Sequence, residues 1–146
     1  NTSNITLGRG TRDMAIQLTD AQEKLLVEGT NFVHFAIVNK DGSPQVTPVW
    51  VDFDGTHVLV NSEQKRRKVR NVKRDPRVAL SVLSPDNSYQ YTEIRGRVVE
   101  ITAAGGAEHI DKMAKKYMGA DKYPYNQPGD VRVIMKIVPE HVSGAN

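Results

Sequence analysis

The sequence predicts a mainly β protein, a six-stranded antiparallel β-barrel with peripheral helices. Three observations predict it: six segments with strand-like composition, short turns between several of them, and helix patterns only at the remaining breaks. The 146 residues are 38% hydrophobic, which is enough for one compact domain with its own core. We therefore expect a single domain over residues 1–146, in which residues 1–12 form a poorly ordered arm.

The first helix is predicted over about Asp20 to Glu28. Thr19 and Gln22 have the spacing of a capping box, in which each side chain accepts a hydrogen bond from the other residue's backbone N–H. Gly29 is a suitable residue to end the helix, because glycine readily adopts positive φ.

A β-hairpin is predicted after this helix. Its strands are the apolar runs Phe32–Val38 and Gln45–Phe53, and residues 39–42 read Asn-Lys-Asp-Gly, which is typical of a tight turn. Pro44 and Pro48 place the second strand at a sheet edge or beside a bulge, because proline has no N–H to donate to the ladder.

The later part of the chain supplies four more strands and a helix. Gly96 indicates a bend or a close backbone contact, and residues 120–130 read as an ordered loop or lid. The predicted strands are Thr56–Val60, Val78–Leu83, Tyr89–Thr102 and Val131–Val138, and the predicted helix is Ala107–Met118.

The most unusual segment is a basic run from Asn61 to Arg77, with eight basic and two acidic residues in seventeen positions. It predicts a helix that starts at Asn61 or Ser62, directly after the third strand, and ends at Asp75-Pro76. Free N–H groups at a helix start, together with arginine and lysine, bind phosphate or carboxylate groups. The alternative is an ordinary solvated basic helix face.

Composition excludes several classes of function. The chain has no cysteine, and its four histidines lack metal-ligand spacing, so we expect neither disulfides nor a metal site. No apolar run approaches the roughly 20 residues of a membrane span. Nucleic-acid binding would require aromatic residues within the basic run, which has none. We therefore expect a cytoplasmic protein that binds neither nucleic acid nor membrane.

Five segments in this order resemble the pyridoxamine 5′-phosphate oxidase-like split-barrel superfamily: DGSPQVTPVWVDFDG, VLVNS, RRKVRNVKRDPRVALSV, EIRGRVVEI and RVIMKIVPEHV. The resemblance covers roughly Phe32 to Val142 and is greatest to the deazaflavin (F420) oxidoreductases of group B. It implies a split β-barrel of the FMN-binding-protein type. True pyridoxamine phosphate oxidases carry an arginine-containing FMN segment and a C-terminal substrate segment, and this sequence has neither.

The resemblance also implies site residues. The cofactor phosphate would be held by Arg66 and Lys68 with Asn61, and less directly by Ser62 and Lys65. The ring system would be lined by Gln45, Thr47, Pro48, Val49 and Trp50. The family usually forms a homodimer with the cofactor between subunits, where Trp50, Tyr89, Tyr91, Tyr123 and Tyr125 would line the substrate side. Each of these aromatic residues is also consistent with ordinary core or interface packing.

The function implied is an F420H2-dependent reductase of a small conjugated acceptor, such as an enone, a quinone or a tetrapyrrole. Reduced deazaflavin supplies the hydride from its own ring, so no catalytic side chain is expected, and the sequence contains no recognisable triad. Two alternatives remain open: an FMN-dependent oxidoreductase of the same fold, and a protein that binds F420 without turnover.

Overall fold

The computed structural model describes residues 5–6 and 16–144, and within them a single antiparallel sheet curls around a hydrophobic core. The helices are α1 (Asp20–Val27), α2 (Arg67–Arg74) and α3 (Gly106–Met118). The strands are β1 (Ile5–Thr6), β2 (Val33–Val38), β3 (Pro44–Val49), β4 (Asp52–Phe53), β5 (Val58–Glu63), β6 (Arg77–Leu83), β7 (Tyr91–Thr102) and β8 (Arg132–Gly144).

The two ends of the sheet are neighbours along the chain. The strand order is β3-β2-β6-β7-β8-β5-β4, and β1 pairs with β7. The second predicted strand, 45–53, is observed as two strands, β3 and β4. Only Trp50 and Val51 separate them, and these two residues are not paired in the sheet. The mainly β, split-barrel prediction is confirmed, although the observed strand count is eight among the described residues rather than six.

The core lies inside the curled sheet. Alternating residues of the strands point into it, and α1 and α2 add side chains from two sides, as strand and helix periodicity require. Its fully or nearly fully buried members include Leu26, Val33, Phe35, Val58, Val60, Val69, Val72, Met135 and Ile137.

Helix α3 packs against β5 and β8. Ile110, Met113 and Ala114 are buried along one side of this helix, while Lys112 and Lys115 are exposed on the other. This amphipathic arrangement confirms the pattern read between residues 107 and 118. It also brings the polar side chain of His109 into a buried position beside β4 and β5.

Several local predictions are confirmed. Thr19 and Gln22 form the capping box of α1, and the β2–β3 hairpin turns at Gly42, which has φ of +88°. Gly96 lies at a register shift between β7 and β8, where an added Cβ would be 1.9 Å from the carbonyl oxygen of Val138.

The predicted start of the basic helix is wrong. Asn61 and Ser62 belong to β5, where they pair with Ile134 and Val133 of β8, and α2 begins six residues after Asn61 with Arg66 as its N-cap. The ladder to β8 keeps both residues extended, so their capping preference is not used. The predicted end is confirmed, with Asp75 as the C-cap.

The predicted N-terminal arm lies mostly outside the described residues. Within positions 1–12 the structure describes only Ile5–Thr6, which pairs with Ile101 and Glu100 of β7. Among the described helices, none combines the length and the apolar character that crossing a membrane requires.

Candidate functional site

A cleft of about 350 Å³ opens where the ends of β3, β5 and β8 approach the start of α2. The loop between α3 and β8 supplies two tyrosines to its edge. The residues lining the cleft are Phe32, Pro48, Val49, Trp50, Asn61, Ser62, Glu63, Arg66, Lys68, Ile110, Tyr123, Tyr125 and Arg132. One side of this set is cationic and the other is aromatic and apolar.

The cationic side consists of Arg66, Lys68 and Arg132. Burial lowers the pKa of Lys68, and repulsion from Arg66 and Arg132 lowers it further, so the three charges lie within electrostatic reach of one another. Among the described residues, neither Arg66 nor Lys68 has an ion-pair partner. Arg132 is attracted by the carboxylates of Asp130 and Glu63, whereas Arg66 and Lys68 have no such partner, so the group as a whole can attract an anion.

Glu63 also lines the cleft, but its carboxylate is already engaged. Its Oε1 accepts the N–H of Lys65 at 2.8 Å, and its Oε2 accepts the N–H of Val131 at 3.0 Å. These bonds join the end of β5 to the residue before β8. Glu63 therefore shapes the backbone around the cationic side, and its negative charge partly offsets the positive charge of Arg132.

The start of α2 adds backbone donors at the rim of the cleft. Arg66, its N-cap, makes no side-chain capping hydrogen bond. The first N–H groups of a helix have no acceptor within the helix, and the helix dipole makes this end partly positive. The donors at the start of α2 therefore lie beside Arg66 and Lys68, about one helical turn later in the chain than the predicted helix start.

The aromatic side is built around Trp50. Its ring stacks on Tyr117, with centroids 5.1 Å apart and planes 3° from parallel, and meets Tyr123 edge-on at 5.9 Å. Tyr123 in turn meets Tyr125 edge-on at 5.6 Å. Edge-on and stacked contacts of this kind hold ring orientations in place, so the wall is suited to a flat conjugated molecule.

Asn61 links the cleft to a buried polar group beneath α3. Its Oδ1 accepts the Nε–H of Arg132 at 2.9 Å, and its Nδ2 donates to the carbonyl oxygen of Gly106 at 2.9 Å. The same Nδ2 lies 3.1 Å from Nδ1 of His109, whose Nε2 is 3.0 Å from Oδ2 of Asp52. Its amide therefore has partners on both sides within the protein.

Asp52 anchors this buried group. Burial of its carboxyl raises its pKa, but hydrogen bonds from His109, from the N–H of Phe53 and from Lys112 together outweigh burial, and the pKa falls well below its usual value. Asp52 is therefore a carboxylate at neutral pH, and it accepts hydrogen bonds from both α3 and its own strand.

The structure brings most of the predicted site residues together. Nine of them line the cleft: Pro48, Val49, Trp50, Asn61, Ser62, Arg66, Lys68, Tyr123 and Tyr125. Five do not: Gln45, Thr47, Lys65, Tyr89 and Tyr91.

The reasons for these five are geometric. Gln45 and Thr47 pair with Ile37 and Phe35, farther along β3 towards the hairpin turn. Lys65 is exposed, and Tyr89 and Tyr91 lie at the connection between β6 and β7, where Tyr89 is 91% exposed.

Four lining residues were not predicted: Phe32, Glu63, Ile110 and Arg132. Arg132 matters most, because it adds the third cation. A signal existed, since Arg132 interrupts the apolar start of the last strand. Using it required the pairing of Glu63 with Arg132 between β5 and β8, which nothing in the sequence indicates.

Comparison with known proteins identifies the family to which the chain belongs. The sequence model of the pyridoxamine 5′-phosphate oxidase family matches residues 18–145. A solved structure titled F420 Reductase is 36% identical over 86% of this chain and 98% of its own, with a TM-score of 0.74.

More distant structures share the fold. A conserved hypothetical protein from Mycobacterium tuberculosis is 22% identical over 94% of this chain and 88% of its own, with a TM-score of 0.61. A putative pyridoxamine 5′-phosphate oxidase from Listeria innocua is 19% identical over 77% of this chain and 86% of its own, with a TM-score of 0.58.

Proposed function

Because the chain belongs to the pyridoxamine 5′-phosphate oxidase family, we propose that it is an oxidoreductase that uses reduced F420 to reduce a small conjugated acceptor. The observation that carries the proposal is the cleft itself, which joins three cations, two of them without an ion-pair partner among the described residues, to a wall of aromatic rings in edge-on contact. A deazaflavin has the matching form, since anionic groups extend from a flat apolar ring system.

The cationic side would hold the cofactor phosphate. Arginine donates paired hydrogen bonds to phosphate oxygens, and lysine adds a compact charge, so Arg66, Lys68 and Arg132 together can surround one phosphate group. The N–H groups at the start of α2 would add neutral donors to the same group. Asn61 acts on this side mainly through Arg132, because its Oδ1 accepts from that guanidinium.

The aromatic side would hold the ring system and the acceptor. Pro48, Val49 and Trp50 provide an apolar surface at the end of β3, and Tyr123 and Tyr125 face them from the loop before β8. When bound, the reduced cofactor supplies the hydride. The contribution of the protein would be to align donor and acceptor, and the proton that accompanies the hydride would come from the reduced cofactor itself or from solvent, so the chain need supply no nucleophile.

Two features favour F420 over FMN. The first is the similarity to a protein titled F420 Reductase at 36% identity, well above the identity to the other structures compared. The second is the number of cations, because FMN carries one phosphate whereas F420 also carries a glutamate tail. Arg67, Arg70 and Arg74 extend the positive surface along α2 beyond the cleft.

The acceptor class and the assembly are also part of the proposal. An enone, a quinone or a tetrapyrrole would suit an aromatic wall and a hydride donor. A homodimer would close the open side of the cleft with a second subunit. FMN-dependent oxidation and F420 binding without turnover remain the alternatives.

The test is a parallel fluorescence titration of the dialysed protein with F420 and with FMN. The variant Arg66→Ala/Lys68→Ala removes two charges from the cleft. The control Lys24→Ala/Lys73→Ala removes the same number of charges from exposed positions outside it. We expect micromolar or tighter binding of F420, weaker binding of FMN, and a loss of at least about tenfold in affinity only in the cleft variant.

Other outcomes separate the alternatives. Tight FMN binding with negligible F420 binding would move the protein to the flavin-dependent branch. F420 binding without oxidation of F420H2 by quinones, enones or biliverdin would favour the carrier. Binding of neither cofactor would reject the proposal.

A further inference from the structure

Arg132 is the cation of the cleft whose position is most closely controlled. Its Nε donates to Asn61, and its guanidinium carbon lies 5.0 Å from the centre of the Tyr123 ring. Its two terminal nitrogens have no hydrogen-bond acceptor among the residues that the structure describes. Asn61 thus binds one edge of the guanidinium and Tyr123 covers one face. The terminal N–H groups remain available to a ligand in the cleft.

The amide of Asn61 can adopt only one of its two orientations. Arg132 Nε is a donor without acceptor capacity, so it must face Oδ1, and the carbonyl oxygen of Gly106 accepts only, so it must face Nδ2. Turning the amide by 180° would oppose donor to donor and acceptor to acceptor. The N–H of Nδ2 that points to His109 therefore requires an acceptor there.

This requirement selects one tautomer of His109. Nδ1 must carry a lone pair to accept from Asn61, and Nε2 must carry the proton to donate to the Asp52 carboxylate. The charged groups that face the imidazole are Asp52 from β4 and Lys112 from its own helix, with Arg132 reached through Asn61. The neutral Nε2–H form satisfies every hydrogen bond in this group.

We propose that His109 is a positioning residue for anion binding: its unprotonated Nδ1 fixes the Asn61 amide, which in turn holds the Arg132 guanidinium at the wall of the cleft. The inference rests on the proposed function only for the identity of the anion. His109 does not line the cleft, so it acts through Asn61 rather than on the ligand.

The competing explanation is that His109 merely fills space beneath α3. It is 8% exposed, so any substitution that disturbs packing can lower stability. A purely structural role predicts that anion affinity follows stability and does not depend on which ring nitrogen is replaced. The positioning role predicts a difference between the two nitrogens.

The first experiment uses the wild-type protein without cofactor. Nitrogen-15 NMR of the histidine rings in the ligand-free protein at neutral pH distinguishes the two tautomers by the shifts of Nδ1 and Nε2. We expect His109 to show a pyridine-type Nδ1 and a pyrrole-type Nε2. A pyrrole-type Nδ1 would overturn the proposal, because such a nitrogen cannot accept from Asn61.

The second experiment compares two polar substitutions. His109→Asn places an amide oxygen near the position of Nδ1, whereas His109→Gln places an amide nitrogen near Nε2 and keeps the bond to Asp52. Arg132→Gln removes the guanidinium directly, and His141→Leu is a control at an exposed histidine outside the cleft. The probes are F420, FMN and inorganic pyrophosphate, each titrated in parallel with urea denaturation.

We expect Arg132→Gln to weaken binding of F420 and pyrophosphate by about tenfold or more, and His109→Gln by about three- to tenfold. His109→Asn should stay within about twofold of the wild-type affinity even if it is less stable. Equal affinities of His109→Asn and His109→Gln would overturn the proposal.

The probes keep the two proposals separable. If neither F420 nor FMN binds but pyrophosphate affinity still distinguishes the His109 variants, the proposed function fails and the positioning role stands. If F420 binds equally well to both His109 variants, the positioning role fails and the proposed function stands. Absence of binding of F420, FMN and pyrophosphate to the wild-type protein would reject the anion site on which both depend.

Discussion

Trp50 and Tyr117 stack with their ring planes 3° from parallel, at the two-residue interruption between β3 and β4. The hydroxyl of Tyr117 accepts the N–H of Val51 at 3.1 Å and donates to the carbonyl oxygen of Asn31 at 2.8 Å. Lys116 donates to the carbonyl oxygen of Val51. Side chains of α3 thus replace the ladder bonds that the backbone lacks here, and hold one wall of the cleft in place.

Tyr117→Phe should destabilise the protein while keeping the stacked ring. The change leaves the N–H of Val51, a fully buried residue, without its acceptor, so we expect a loss of about 1–3 kcal/mol in the free energy of unfolding. Urea denaturation measures it. Tyr89→Phe, at a 91% exposed position, is the matched control and should leave the midpoint unchanged. Equal stability of the two variants would contradict the role given to the Tyr117 hydroxyl.

Asp52→Asn should reduce stability at neutral pH and flatten its acid dependence. The folded-state pKa of Asp52 is lowered by the bonds from His109, Phe53 and Lys112, so its contribution is present above about pH 4 and is lost as the pH falls towards the folded value. We expect a loss of about 1–3 kcal/mol at pH 7.

The measurement for Asp52 is urea denaturation of both proteins between pH 7 and pH 2.5. The free-energy difference between wild type and Asp52→Asn should shrink as the solution becomes more acidic. Asp86→Asn, at an exposed turn position, is the control and should track the wild type throughout. A difference that is constant with pH would show that the Asp52 charge does not contribute.

Lys68→Met should separate stability from binding. The folded-state pKa of Lys68 is lowered, first by burial and then by Arg66 and Arg132, so its charged form disfavours folding below that pKa. We expect stability at pH 7 within about 0.5 kcal/mol of wild type or higher, with at least about tenfold weaker F420 binding. Thermal denaturation and fluorescence titration measure the two effects. Lys73→Met, exposed on the same helix, should change neither, and a large loss of stability in Lys68→Met would refute the assignment.

Gly96→Ala and Gly42→Ala should both destabilise the protein, by different mechanisms. A Cβ at Gly96 would meet the backbone of Val138 at 1.9 Å, and we expect a loss of about 3 kcal/mol or more, since backbone must shift. Gly42 has open space but φ of +88°, so strain alone predicts roughly 1–2 kcal/mol. Urea denaturation ranks them, and a larger effect at Gly42 would be inconsistent with the contact at Gly96.

Local features of this fold were predictable because their signals act over short distances. The capping box of α1 joins residues three apart, the β2–β3 turn depends on four consecutive residues, and Asp75-Pro76 ends α2 by its own geometry. The start of α2 failed because tertiary pairing with β8 overrides the capping preference of Asn61 and Ser62.

By itself the sequence determined the mainly β fold, the bounds of α1 and α3 to within one residue, the end of α2, and the concentration of positive charge between residues 61 and 77. The resemblance also named nine of the cleft residues, but only the tertiary structure showed that Arg132 joins them and that His109 lies beneath them. Arg132 meets Asn61 across 71 positions, and His109 meets Asp52 across 57. Such contacts depend on sheet register and helix packing, in which a shift of one residue reverses the face of every side chain, and no local pattern specifies them.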